Sequence, residues 1–155
     1  MIQRIQSIFL FVASALTLCL FFTPFIGLDF GQGFSNISVC RMMPVLQGFQ
    51  PTAMLPLAIL AGTAFVLCFM SIFLYRNRTL QMKVVRVNSF LQIAILIVMI
   101  VYVYMFIKDL DDDTTIHYTL YLTLVFPIVN MILLGLARKR IKADDDLVKS
   151  ADRLR

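Results

Sequence analysis

The densest group of potential metal ligands is the segment DLDDDTTIH, residues 109–117, which holds four aspartates and the single histidine, His117. Carboxylates are the groups that hard cations such as Ca²⁺ prefer. Three of the aspartates are consecutive, however, so their side chains diverge, and the spacing and turn glycine of a calcium-binding loop are missing. We therefore interpret the segment as a solvated loop and assign no metal ligand to it.

No set of residues suits nucleophilic or acid–base catalysis. The serines and threonines have no histidine within reach to activate them, and the acids lie at the rims of the apolar stretches or in the tail. The chain has four long apolar stretches, at about 5–24, 53–75, 88–107 and 118–137, and their middles lack Asp, Glu, Lys, Arg and His. Ion pathways, proton relays and metal-dependent membrane enzymes need such ionisable groups. The chain is thus predicted not to be an enzyme and to bind no cofactor.

The strongest polar group within an apolar stretch is Asn130, which follows Pro127 by three residues. A proline inside a helix frees a carbonyl one turn earlier, and we expect Asn130 or Thr123 to help satisfy it. These two intramembrane polar residues are predicted to join helices. A substrate contact near Asn130, in a small transporter or lipid-handling protein, is the alternative. Asn88 and Gln92 are predicted to lie near a membrane interface, where polarity costs little.

The elements that carry these residues are membrane-spanning helices. Hydrophobic residues make up 60% of the 155-residue chain, against about 45–50% in ordinary globular proteins. Its mean hydropathy of +0.86 is too high for a core in water. Four stretches reach the ~20 residues that cross a bilayer, at about 5–24, 53–75, 88–107 and 118–137. They predict an all-α, antiparallel four-helix transmembrane bundle over residues 1–137, followed by a tail at 138–155.

Charge patterning predicts the orientation of this bundle. Basic residues precede the first stretch, crowd the RNRTLQMKVVR segment at 76–86, and follow the fourth stretch as RKRIK at 138–142. The other two loops hold one basic residue each. The positive-inside rule therefore places both termini and the middle loop in the cytoplasm. No small residues suited to signal-peptide cleavage follow the first stretch, so that stretch is predicted to be retained.

Two further features concern how the bundle is closed and packed. In the outer loop at 25–52, GLDF and NISVCRMM flank a glycine-rich turn, which predicts a short hairpin capping the periplasmic side. Small residues at 61, 62 and 64 in the second stretch, and at 135 and 137 in the fourth, are expected to let those two helices approach closely.

The tail KADDDLVKSADRLR, residues 142–155, reads as an amphipathic helix. Leu147, Ala151 and Leu154 fall at i, i+4 and i+7, with Val148 beside them. The aspartates at 144–146 stand where acids favour the start of a new helix. A free helix of about 12 residues is marginal in water, so its apolar face must pack on something. Three surfaces could cover this face: the middle loop of the chain, a partner protein or the lipid surface.

Three segments carry a family resemblance: MIQRIQSIFL at 1–10, LYRNRTLQMKVVRVN at 74–88 and LARKRIKADDDLVKSADRLR at 136–155. They resemble an uncharacterised family of four-span inner-membrane proteins of Bacteroidota, domain of unknown function 4293. The resemblance runs over essentially the whole chain and implies a bacterial inner membrane with a retained first helix. It also implies that function concentrates on the cytoplasmic face. The matching positions there are Gln3, Arg4, Gln6, Arg76, Arg78, Asp146, Leu147, Ser150, Asp152, Arg153 and Arg155.

Together these features predict a non-enzymatic accessory or scaffold subunit of a larger inner-membrane complex that docks through its cytoplasmic face. Protein export is a concrete candidate, because a basic face suits a Sec-type translocon or a ribosome. Contact with ribosomal RNA would be electrostatic and strongly salt-dependent. Besides the lipid bilayer and such a complex, no small-molecule substrate is expected. The residues predicted to bind the partner are Arg76, Arg78, Arg138, Lys139, Arg140, Leu147, Val148, Ala151, Arg153, Leu154 and Arg155.

Overall fold

A computed structural model of the chain describes residues 2–29, 34–39, 55–110, 117–120 and 122–153. Within these ranges the chain forms four helices and three strands. In chain order they are α1 (Ile2–Phe22), β1 (Pro24–Asp29), β2 (Phe34–Ser38), α2 (Leu55–Phe73), α3 (Arg78–Leu110), β3 (His117–Leu120) and α4 (Phe126–Arg153). Short 3₁₀ segments at Leu74–Arg76 and Leu122–Val125 lead into α3 and α4.

The helices are those of a membrane protein. Three apolar segments, Leu55–Phe73, Arg78–Met105 and Leu122–Ser150, are long enough to cross a bilayer. In α1, the apolar part whose side chains are described, Gln6–Phe22, is shorter. Large apolar side chains stay exposed along every helix, as at Phe11, Phe73, Phe90 and Ile132. In a membrane this surface would face lipid, whereas in water it would aggregate.

Buried residues recur along each helix at alternating intervals of three and four. The buried positions are Leu57, Ala61, Ala64, Cys68 and Ser71 in α2, and Gln81, Val85, Asn88, Gln92, Ile95 and Met99 in α3. This seven-residue repeat keeps one stripe of each helix directed at its neighbours, as in left-handed helical bundles. In α2 and α3 the stripe is apolar near the strands and mixed with polar residues toward the opposite end.

Each helix has two neighbours, because α1 and α3 each pack against both α2 and α4. Within the described residues, α2 and α4 therefore stand at opposite corners, and the expectation that their small residues meet is wrong. Ala61 and Ala64 instead lie in a cluster with Leu20 of α1 and Met99 of α3. A Cβ atom placed on Gly62 would sit 3.8 Å from the Phe21 ring, so the small residues of α2 serve its contact with α1.

The strands form one antiparallel sheet in the order β2-β1-β3. Strand β1 pairs with β2, with Gly27 opposite Asn36, and this pairing forms the hairpin expected in the outer loop. On the other edge of β1, Leu28 lies opposite Tyr118 of β3. Residues 118–120 were expected to begin the fourth helical stretch. They instead belong to β3, which pairs with the edge of β1 that β2 leaves free.

The sheet closes one end of the bundle. Phe25 and Ile26 of β1 are fully buried and join the cluster formed by Leu20, Leu57 and Met99. The Thr123 hydroxyl donates a hydrogen bond to the Pro24 carbonyl at 2.5 Å, which ties the approach to α4 to the sheet. Most of the long outer loop, at 40–54, and most of the acidic loop, at 111–116, lie outside the described residues.

Helix α4 differs from expectation at both ends. Pro127 is its second residue, so it sits in the first turn, where its missing N–H removes no intrahelical hydrogen bond. The expected bend with a freed carbonyl is therefore absent from this helix. At the other end, α4 continues unbroken through Asp144–Asp146 to Arg153, because no glycine or proline interrupts the good helix formers after Ala137. The tail extends the fourth helix and is not separate from it.

Helix α3 also begins earlier than expected. The basic RNRTLQMKVVR segment was interpreted as a loop, but α3 starts at Arg78. Only the short 3₁₀ turn at Leu74–Arg76 and Asn77 connect α2 to it. The Asn77 side chain accepts a hydrogen bond from the Leu80 N–H, as an N-cap does. Most of the basic cluster is therefore held on a rigid helix.

Candidate functional site

A single hydroxyl joins three helices in the bundle interior. The Thr17 Oγ1 atom of α1 accepts hydrogen bonds from Asn130 Nδ2 of α4 at 3.1 Å and from Gln92 Nε2 of α3 at 3.4 Å. It donates its own proton to the Ala13 carbonyl at 2.8 Å. A hydroxyl offers one donor and two acceptor sites, so Thr17 uses its complete capacity. All three polar side chains are buried.

Polar contacts also connect α2 to its neighbours, nearer the end of the bundle that lacks the sheet. The Cys68 thiol donates to the Leu10 carbonyl of α1 at 3.3 Å. The Gln81 amide of α3 donates to the Ser71 carbonyl of α2 at 2.9 Å. Together with the Thr17 contact, these hydrogen bonds link α1 to each of the other helices and α2 to α3.

The structure gives the two predicted intramembrane polar residues different roles. Asn130 joins α4 to α1, whereas Thr123 binds the sheet. Asn88 and Gln92 were expected near a membrane interface, and that depth stays a prediction, but the structure buries both side chains among the helices. The spacing of these residues could have predicted their burial. Gln81, Asn88 and Gln92 lie seven and four residues apart and therefore share one helical face with Val85.

The charged end of the bundle consists of residues 78–86 of α3 and residues 138–153 of α4. Here Arg78 holds Asp144 through two contacts: its Nη1 donates to the Asp144 carbonyl at 2.9 Å, and its Nη2 lies 3.1 Å from the Asp144 carboxylate. The two side chains are only 19% and 14% exposed. Because Asp144 sits midway along the extension of α4, this clamp fixes the extension to the start of α3.

A cleft of about 360 Å³ opens between the two helices at the charged end. We call it the basic cleft. It is lined by Thr79, Met82, Lys83 and Arg86 of α3, and by Arg138, Lys142, Asp145, Asp146 and Lys149 of α4. Cations outnumber carboxylates in this lining, so the cleft attracts anions. Within the described residues, no three His, Cys, Asp or Glu side chains are grouped as metal ligands would be.

The predicted partner-binding residues fall into different groups in the structure. Arg78 forms the clamp and Arg138 lines the basic cleft, while Lys139 and Arg140 are exposed outside that lining. The side chains of Arg76, Ala151 and Arg153 are not described, and Leu154 and Arg155 lie outside the described residues. The lining residues Lys83, Arg86, Lys142 and Lys149 were not predicted as site residues. Their basic character was visible, but their meeting across two helices was not.

The apolar face of the α4 extension is uncovered. Leu147 is 56% exposed and Val148 is 43% exposed, although both follow the buried Ile141 on the same helix. The described residues of the bundle leave both side chains uncovered, although α3 reaches as far as Lys149 of the same helix in the lining of the basic cleft. Self-docking of the tail therefore takes place through the polar Asp144 clamp and leaves this apolar pair exposed.

Replacing Thr17 with valine should destabilise the bundle by about 1–2 kcal/mol, because two buried amides lose their shared acceptor while the side-chain volume stays nearly constant. Thermal unfolding of the detergent-purified protein measures this. Thr17→Ser should retain most of the stability. Thr63→Val is the matched control, since the exposed Thr63 hydroxyl bonds only to its own helix, at Leu60. Equal losses from both valine variants would contradict a special role for Thr17.

Reversing the charge at Arg78 should loosen the extension of α4. Arg78→Glu removes the ion pair and one hydrogen bond from a charged donor, the latter worth about 1.5–3 kcal/mol, and places two carboxylates together. Hydrogen exchange of the backbone over 144–153 should accelerate about tenfold or more, while exchange over 126–137 stays unchanged. The double variant Arg78→Glu/Asp144→Arg should recover part of the protection. No change over 144–153 in the single variant would show that the clamp does not hold the extension.

Comparison with known proteins identifies the family. No curated protein and no solved structure matches the chain. The sequence model of a domain of unknown function (DUF4293) matches residues 2–154. The match covers nearly the whole chain, including the bundle, the sheet and the charged end. It confirms the family resemblance seen in the terminal and middle segments, and the chain therefore belongs to the DUF4293 family.

Proposed function

We propose that this protein is a non-enzymatic accessory subunit of a larger assembly in the inner membrane of a Bacteroidota bacterium. Four helices cross the membrane, and both termini and the turn before α3 lie in the cytoplasm. The partner docks on the exposed face of the α4 extension. The observation that carries this proposal is that the extension is clamped to the bundle through Asp144 while Leu147 and Val148 remain exposed.

A rigid, projecting helix is well suited to recognition. From Arg138 to Arg153 the extension is about 24 Å long at 1.5 Å per residue. An amphipathic helix of this kind binds by laying its apolar residues in a groove of its partner. Because the clamp orders the helix in advance, less conformational entropy is lost on binding. The mixed charges around Leu147, with Asp146 and Lys149 close by, would restrict which partners fit.

The orientation is supported by the charges at the two ends. Residues 76–86 and 138–142 carry eight lysines and arginines and no acid, and the structure brings the two segments together in one charged end. Excess positive charge of this kind favours the cytoplasmic side. The sheet then lies on the periplasmic side. An inner membrane is supported by the family resemblance of the sequence.

Protein-export machinery is the partner class that we favour. A basic surface beside a membrane can approach the RNA of a ribosome or the cytoplasmic loops of a translocon, and steering by such a surface speeds association. The apolar pair Leu147 and Val148 would supply the short-range contact that charge alone lacks. The lysines and arginines of the charged end would contribute mainly to the rate at which the protein meets its partner and to the salt dependence of that rate.

The alternative, a transport or lipid-handling site near Asn130, has one favourable observation. The buried amide oxygens of Gln92 and Asn130 have no hydrogen-bond partner among the described residues, as the lining of a polar site would. Against it, the amide nitrogens of both residues already bind Thr17 and so connect three helices. These hydrogen bonds favour a structural role for Gln92 and Asn130, and we therefore place function at the charged end.

Cysteine labelling tests the orientation. In a chain whose native cysteines are replaced by serine or alanine, Lys139→Cys and Ser35→Cys each provide one reactive thiol on opposite sides of the bundle. In intact spheroplasts, a membrane-impermeant maleimide should label position 35 and leave position 139 unlabelled until the membrane is opened. The reverse pattern would overturn the proposed orientation.

Site-specific photo-crosslinking in cells tests the docking proposal. A photoreactive phenylalanine analogue at Leu147 should crosslink to an integral membrane subunit, whereas the same group at Leu80, an exposed leucine of the same end, should not. Leu147→Ser/Val148→Ser should lower recovery of that subunit by roughly tenfold, and Leu80→Ser should not. Crosslinks to lipid or to the same chain alone would refute partner docking at this face.

A further inference from the structure

We propose that the basic cleft between α3 and α4 binds the phosphate of an anionic phospholipid, whose acyl chains lie along the groove above it. This binding site is independent of the docking proposal, because it rests on the cations of the cleft and requires no protein partner. It also holds for either orientation of the bundle, since it concerns whichever leaflet meets the charged end.

The charge within the cleft is unevenly distributed. Lys149 forms an ion pair with Asp145 one turn earlier on α4, at the end of the cleft farthest from the spans. The other four cations of the lining are Lys83, Arg86, Arg138 and Lys142. None of these four forms an ion pair within the part of the chain that the structure describes. The end of the cleft nearest the membrane is therefore its most electropositive part.

The four cations lie at the depth of lipid headgroups. Arg86 is the last charged residue of α3 before the uncharged run from Val87 to Ile107, and Arg138 is the first after the uncharged run that ends at Ala137. The headgroup layer is about 5–7 Å thick on each side of the hydrocarbon. Lys83 lies about 4.5 Å from Arg86 along the helix axis, and Lys142 about 6 Å from Arg138. All four therefore fall within that layer.

The surface directly above the cleft suits an acyl chain. One turn toward the membrane centre, α3 presents Phe90, which is 65% exposed. At the corresponding level α4 has Gly135, and a Cβ atom placed there would meet nothing within 4 Å. The missing side chain leaves open space between a headgroup at Arg138 and the membrane interior. A lipid is thus favoured over free phosphate, which would gain nothing from this apolar shelf.

Convergence distinguishes this cleft from ordinary interfacial cations. Basic residues at membrane boundaries attract anionic lipids wherever they occur, at about 1 kcal/mol each. Here two helices direct four of them into one concave space, while the neighbouring Lys139 and Arg140 lie outside the lining. Those two residues have the same charge, the same helix and nearly the same depth, and they provide a matched control for the site.

Native mass spectrometry of the full chain in detergent measures the binding, with phosphatidylglycerol, phosphatidylethanolamine and inorganic phosphate as the added probes. The wild-type protein should bind phosphatidylglycerol about tenfold more tightly than phosphatidylethanolamine. Arg86→Gln/Arg138→Gln should remove this preference, and so should Lys83→Gln/Lys142→Gln, which gives a second test should either variant fold poorly. Lys139→Gln/Arg140→Gln, with the same loss of charge, should keep it within about twofold.

Three outcomes would overturn the proposal. Unchanged phosphatidylglycerol binding in both cleft variants would show that the lipid binds elsewhere. An equal loss in the Lys139/Arg140 control would show diffuse attraction to a basic surface and no site. Displacement of the lipid by millimolar inorganic phosphate, or by a short single-stranded RNA, would assign the cleft to a soluble phosphate ligand.

Discussion

The bundle depends on the need to satisfy polar groups that no water can reach between membrane-spanning helices. Thr17 meets this need for two amides at once, because its hydroxyl accepts from both Gln92 and Asn130 and returns its proton to α1 itself. Three helices are thus tied at one atom, and a rotation of any one of them would leave a buried amide without its acceptor. The apolar stripes supply packing, but lipid tails are as apolar as leucine, so packing alone specifies orientation weakly.

The two ends of the bundle are closed by different physical means. At one end β3 completes a three-stranded sheet, and Phe25 and Ile26 enter the apolar cluster. At the other end Arg78 and Asp144 make a largely buried ion pair that holds two helix segments beyond the apolar part of the bundle. Hydrogen-bonded sheet is tolerant of its surroundings, whereas the ion pair depends on one partner on each helix. A single substitution at Arg78 or at Asp144 therefore removes the ion pair that joins α4 to the start of α3.

Much of the fold was predictable from the sequence, since long uncharged stretches and clustered basic residues are strong signals. The helical stretches and the β1–β2 hairpin were expected. The position of β3 was not, because HYTL is apolar enough to continue a helix and becomes a strand only beside the free edge of β1. The burial of the interior polar residues was not predicted, for a related reason. Gln92 lies near the end of an apolar stretch in sequence, but its burial depends on Thr17, 75 residues away.

In the candidate site, too, features that depend on neighbouring residues were predicted, whereas features that depend on residues far apart in the chain were not. Leu147 and Val148 were predicted from helical spacing, and the structure leaves them exposed. The basic cleft was not predicted, since Arg86 and Arg138 lie 52 residues apart in the chain and meet only in the fold. At 100° per residue, Leu147 lies about 160° around α4 from Asp145 of the cleft. Val148 lies nearer the cleft, about 60° around α4 from Asp145, so Leu147 is the residue that a partner protein can contact while a lipid occupies the cleft. Both depend on the Arg78–Asp144 clamp, because the clamp sets the rotation of that helix relative to α3.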